Sequence, residues 1–108
     1  MKWNRHTHLL KNGEGRELEM ASSCDPHDLD FSPDEKILYA VDRDGNRIQA
    51  FDKNGTFLFA WGKLGNGNGQ FHVPYGIGVD IEGNVWVADR ANDRMQKFDS
   101  KGKFILIW

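Results

Sequence analysis

The ten residues NRIQAFDKNG at 46–55 return as DRMQKFDSKG at 93–102, and more faintly as NRHTHLLKNG at 4–13. Around the two stronger copies the likeness widens. Between 42–61 and 89–108, nine of twenty positions are identical: Asp42/Asp89, Arg43/Arg90, Arg47/Arg94, Gln49/Gln96, Phe51/Phe98, Asp52/Asp99, Gly55/Gly102, Phe57/Phe104 and Trp61/Trp108. Self-similarity at a period of roughly 40–50 residues marks a repeat architecture, in which each unit relies on its neighbour to bury its apolar faces.

The full windows are PHDLDFSPDEKILYAVDRDGNRIQAFDKNGTFLFAW (26–61) and PYGIGVDIEGNVWVADRANDRMQKFDSKGKFILIW (74–108), the first carrying one extra residue in the turn SPDEK, where the second has DIEG. Apolar residues come in short bursts between turn signals. Leu29 and Phe31 alternate with polar positions, as Ile77 and Val79 alternate with glycines. ILYAV (37–41) and VWVA (85–88) are continuous runs suited to a strand covered on both faces. RIQAF and FLFAW, like RMQKF and FILIW, flank KNG or SKG, where glycine supplies the positive φ of a tight hairpin turn. No segment has a sustained helical period. Each repeat reads as four short antiparallel strands, and such sheets packed face to face about an axis form a β-propeller.

The strings GQFHVPYGIGVDIEGNVWVADRANDRMQKFDSKGKFILIW and AVDRDGNRIQAFDKNGTFLFAWG resemble NHL repeats, the blades of typically six-bladed propellers. The resemblance implies an all-β chain of about two and a half blades. Residues 1–23 would be the outer half of a preceding blade and a link. Residues 24–62 would form one complete blade, and 63–108 an interblade loop and another. That count gives ten strands, so the chain is expected to be a segment of a larger propeller or to complete a ring with other copies. GKLGNGNGQF, which lacks the Lys-Ser/Thr ending of a phosphate loop, reads as a flexible interblade connection.

Composition narrows the function. A length of 108 residues suits one small domain, and 12% aromatic content with four Trp suffices for a packed core. Net charge −2 and a pI near 6.0 argue against a basic nucleic-acid groove. The single Cys24 excludes an internal disulfide framework. No apolar run is long enough to span a bilayer, the N-terminal stretch lacks a signal-peptide core, and the compartment stays open.

Candidate chemistry gathers at equivalent inner positions of the two repeats: His27, Arg43, Tyr75 and Arg90 are expected to line the channel mouth and bind a small molecule or protein there. An enzyme reading stands beside this one. In the peptidylamidoglycolate lyase type of NHL-like propeller, a Pro-His pair at this blade position supplies a metal ligand. Pro26-His27 is similar to it, so the resemblance implies zinc or calcium at His27 and a catalytic Arg43 holding a substrate anion. The plainer account makes His27 a turn histidine and Arg43 a structural arginine paired with Asp42 or a neighbouring carboxylate. His6 and His8 would share a strand face but have no third ligand at useful spacing. DRDGN (42–46) begins like a calcium loop but lacks the closing Glu, and fits a turn held by Asp and Asn side chains. Some NHL domains bind RNA on a basic face. Here Lys53, Lys63, Arg90, Arg94, Lys97, Lys101 and Lys103 are interspersed with acids. Trp61 and Trp108, at one repeat position, are expected in the interblade core.

Overall fold

The computed structural model describes residues 28–108 throughout and, before them, the backbone of three short strands. These are β1 (Trp3–Asn4), β2 (Leu9–Lys11) and β3 (Glu17–Glu19), an antiparallel sheet in that order. The sequence suggests two outer strands there, and three stand. His6, His8, Cys24, Pro26 and His27 lie outside the described residues.

The two strong repeats fold as expected. β4 (Leu29–Phe31), β5 (Ile37–Asp42), β6 (Arg47–Asp52) and β7 (Phe57–Trp61) form one antiparallel meander. β8 (Pro74–Val79), β9 (Val85–Asp89), β10 (Arg94–Phe98) and β11 (Phe104–Ile107) form the next. A single 3-10 turn, Arg90–Asn92, separates β9 from β10.

Three hairpins share one turn. In DKNGT, DIEGN and DSKGK, the N–H of Asp52, Asp80 and Asp99 donates to the carbonyl of the residue four on, and the glycine N–H donates back to the aspartate carbonyl. Each carboxylate also accepts from the N–H groups two and four residues on, at 2.9–3.0 Å. The glycines sit at φ 87–88°, which a Cβ would oppose. The longer SPDEK turn uses Ser32 and Asp34 instead, with Glu35 taking the left-handed position at φ 61°.

The two meanders pack face to face. Tyr39, Val41, Ile48 and Ala50 on one meet Ile77, Val85, Val87 and Phe98 on the other, with Phe71 of the connecting segment in the same cluster, all buried. Trp61 lies 5.4 Å from Phe98, centroid to centroid, and edge-on to Tyr39 at 6.1 Å. That is the interblade position expected of it. Trp108, one repeat on, repeats the edge-on pairing with Trp86 at 6.3 Å but is 80% exposed. The opposite face of the first meander holds Leu38, Ala40 and Phe51, so ILYAV is covered on both sides.

Polar bonds reinforce the seam. Tyr39 donates its hydroxyl to the Ser100 carbonyl at 2.7 Å. Asp28 and Asp30 accept from the N–H groups of Ile77 and Val79 at 3.1 and 2.8 Å, so the β4 carboxylates satisfy donors on β8. Their repeat equivalents, Gly76 and Gly78, carry no side chain, and Gly76 leaves room for Asp28.

Candidate functional site

The polar signature of the repeat is a scaffold for the top turns. Asp42, 2% exposed, accepts from the Gly45 N–H at 3.0 Å, Arg47 Nε at 2.7 Å and Gln49 Nε2 at 3.2 Å. DRDGN is therefore a side-chain-held turn, and Arg47 provides a cation for Asp42. One repeat on, Asp89 is fully buried. It accepts from Arg94 Nε (2.9 Å), Asn92 Nδ2 (2.9 Å), Gln96 Nε2 (3.3 Å) and the His72 N–H (2.7 Å).

This hub corrects the expectation of a flexible link. Arg94 donates to the carbonyls of Asn66, Gly67 and Gln70, while Gln96 donates to Gln70 and accepts from the Gly69 N–H. Lys63, Gly65 and Phe71 close the loop with backbone bonds. The glycine-rich stretch is a clasped loop. Its glycines make room: a Cβ at Gly62 would stand 2.6 Å from the buried Phe71 ring, and Gly62 has φ 104°.

The clasp aims the segment that follows. Phe71 is fully buried, the Val73 N–H donates to Asn46 Oδ1 at 2.9 Å, and the Ala91 N–H donates to the His72 carbonyl. Val73 is held at φ 55°, a conformation that a β-branched residue adopts only when its surroundings over-determine it. Immediately after it, Pro74 opens β8, and Tyr75 emerges 41% exposed.

Tyr75 stands between two arginines. The guanidinium carbon of Arg90 lies 4.7 Å from the ring centroid, and that of Arg43, from the preceding meander, 5.9 Å away. Three of the four residues expected at the mouth are thus brought together, and His27 lies outside the described residues. Guanidiniums held against an aromatic face keep their N–H edges available for an anion. Two other basic residues are engaged elsewhere, Arg94 in the clasp and Lys97 5.0 Å over Trp86. Sequence reasoning missed Asn46, Val73 and the Asp89 hub as positioning residues. The recurrence of Asp42/Asp89 and Arg47/Arg94 was the available signal.

Among the described residues, no group of three or more His, Cys, Asp or Glu side chains stands close enough to hold a metal ion.

A search of curated proteins finds no matching relative. Solved structures do match. A gluconolactonase from Xanthomonas campestris is 28% identical, with a TM-score of 0.58, over 83% of this chain and 28% of that one. Regucalcin from Agrobacterium tumefaciens, described as a calcium-binding protein, is 24% identical, with a TM-score of 0.62, over 89% of this chain and 34% of that one. Virginiamycin B lyase from Staphylococcus aureus is 20% identical, with a TM-score of 0.66, over 90% of this chain and 32% of that one. The chain thus spans about a third or less of these structures, and its paired meanders are part of a β-propeller. The family model that matches is SMP-30/gluconolactonase/LRE-like region, over residues 22–108, so the expected propeller repeats stand but the match is to this family and not to NHL specifically. The chain belongs to the SMP-30/gluconolactonase/LRE-like family.

Proposed function

We propose that this chain is a propeller segment that binds a small organic anion at the channel mouth, with Arg43 and Arg90 as the cationic contacts and Tyr75 as the aromatic wall between them. The observation that carries this reading is the Arg43–Tyr75–Arg90 arrangement, which joins side chains from two successive meanders around one exposed ring. Such a site is rigid, because the clasped loop and Val73 fix the tyrosine before any ligand arrives. Binding would then order few side chains, which favours affinity for a small partner.

Membership in a family with a gluconolactonase among its solved relatives supports a second reading, a propeller enzyme acting on a lactone or similar acid derivative. In that reading Arg43 would hold the substrate's carboxyl group, as the carboxylate released on ring opening, and His27 would contribute a metal ligand, zinc or calcium, with further ligands from elsewhere in a closed ring. The NHL-type assignments of an RNA-binding surface or a protein-binding top face have less support here, since Arg94 and Lys97 already have partners within the fold and acidic residues are interspersed among the basic ones.

Titration of the 108-residue chain with gluconate and other small carboxylates, followed by NMR or calorimetry, tests the first reading. Saturable binding is expected, weakened about ten- to a hundredfold in Arg90→Ala and in Arg43→Ala, the usual loss when a charge-assisted hydrogen bond is removed. Absence of binding across the series, or unchanged binding in both variants, would reject it.

A further inference from the structure

Three Asn–Gly pairs stand among the described residues: Asn54–Gly55, Asn66–Gly67 and Asn68–Gly69. Such a pair carries its own reactivity. The backbone nitrogen of the glycine can attack the asparagine Cγ, because no glycine side chain obstructs the approach. The N–Cγ bond forms, the Cγ–Nδ2 bond breaks, and the amide nitrogen leaves as ammonia with the proton of the glycine N–H. The resulting cyclic imide takes up water at either carbonyl, giving aspartate or isoaspartate. All three asparagines are exposed, so water and base reach them. Attack requires the glycine nitrogen to lose its proton and turn toward Cγ, and an N–H held by an acceptor resists both.

Each of these N–H groups is held, but by different means. Gly55 donates to the Asp52 carbonyl at 3.0 Å, within its own turn. Gly67 donates to Gln70 Oε1 at 3.0 Å, and Gly69 to Gln96 Oε1 at 2.8 Å. The two loop pairs are thus held by side-chain amides, and Gln96 stands on β10, 27 residues from the glycine it holds. Arg94 pins the same backbone through the carbonyls of Asn66, Gly67 and Gln70, which opposes rotation into a ring-closing geometry.

We propose that Asn66 and Asn68 are self-modification sites, protected by Gln70 and Gln96 while the clasp is shut and converted to aspartate or isoaspartate when it opens. Asn68 is tied to the second meander. Gln96 is fully buried and also donates to the Gln70 carbonyl at 2.6 Å, so Gly69 is released only when the loop lifts from β10. Isoaspartate adds a methylene to the backbone, which shifts the Gly69 N–H out of register with Gln96. An opening is therefore recorded one way. The proposal does not rest on the anion site, since its chemistry lies within the loop and its readout is a change of mass.

The test incubates the 108-residue chain, Gln70→Met and Gln96→Met at mildly alkaline pH, well below each protein's melting temperature, beside a urea-unfolded sample of the native chain. Peptide mass spectrometry after proteolysis follows each asparagine separately, and enzymatic methylation scores isoaspartate. In the folded native chain, Asn66 and Asn68 should convert at least about tenfold more slowly than in urea. Gln70→Met should speed Asn66 and Gln96→Met should speed Asn68, each about three- to tenfold, the worth of one hydrogen bond. Asn54, guarded within its own turn, should keep its native rate in both variants and serve as the internal clock. Loop asparagines that convert as fast folded as unfolded, no rise at Asn66 in Gln70→Met, or a rise there no greater than that at Asn54 overturns the proposal.

Discussion

Asp89 accepts four donors while fully buried, and its repeat equivalent Asp42, 2% exposed, accepts from Gly45, Arg47 and Gln49. The difference lies in the arginines: the Arg94 side chain is 13% exposed and also holds three loop carbonyls, whereas Arg47 is 49% exposed. Either loss leaves a buried carboxylate without its cation, but water can enter where the half-exposed Arg47 stood and replace part of the pairing, whereas the Arg94 site is enclosed. Arg94→Ala should therefore destabilise the chain by about 3–5 kcal/mol and loosen the 63–71 loop, whereas Arg47→Ala should cost roughly 1–2 kcal/mol. Urea unfolding curves for the two variants check the contrast, and equal costs would show that Asp89 is not the hub described. The identity of the Asp, Arg and Gln positions was visible in the sequence. Their role was not, because Arg94 reaches carbonyls more than twenty residues away, and spacing says nothing about contacts across a fold.

At the scale of strands and turns, the sequence was most legible where one backbone need dictates one residue. Gly55, Gly83 and Gly102 each take φ near 88°, and the aspartate three positions earlier anchors the turn, so KNG, EGN and SKG could be read directly. Density of glycine misled at 62–67, since there Gly62 permits close approach of Phe71, and Gly65 and Gly67 that of Gln70, rather than motion. The turn aspartates also carry a pH signature. The N–H groups of Lys103 and Lys101 hold Asp99 below its ordinary value of 3.8. At Asp80 partial desolvation opposes the shift, but the Trp86 indole and the turn N–H groups outweigh it. At Asp34 the Ser32 hydroxyl and the Lys36 N–H act in the same direction. A carboxyl depressed in the folded state contributes stability that is complete above its unfolded value and is lost as pH falls through the folded one. Folding stability should stay level from neutrality to about pH 5 and decline below it. In Asp99→Asn, which keeps an acceptor but does not titrate, that decline should be shallower in denaturant titrations run across the acid range.

For the molecule as a whole, pairing of the meanders depends on shape at their hairpin ends. A Cβ on Gly102 would stand 2.6 Å from the Trp61 ring, and φ 88° already disfavours any side chain there. Gly102→Ala should lower stability by about 1–3 kcal/mol, whereas Gly83→Ala, with open space around it, should show only the backbone part of that cost. Thermal melts of the two variants separate the contributions. The architecture was legible because each repeat states its strands in the same order. The Arg43–Tyr75–Arg90 cluster was only partly so: its residues could be picked out by position, but their stacking depends on the twist between sheets.

The two faces of a blade are unlike. One offers Ile77, Val85 and Phe98, and the other offers Tyr39, Val41 and Trp61 or their equivalents. A face of one kind is complementary only to a face of the other kind, so the contact is head-to-tail and has no two-fold axis. Units joined this way share a direction, and each added unit repeats the same rotation. Their number is then fixed by geometry: the series stops where accumulated rotation brings the last face back to the first.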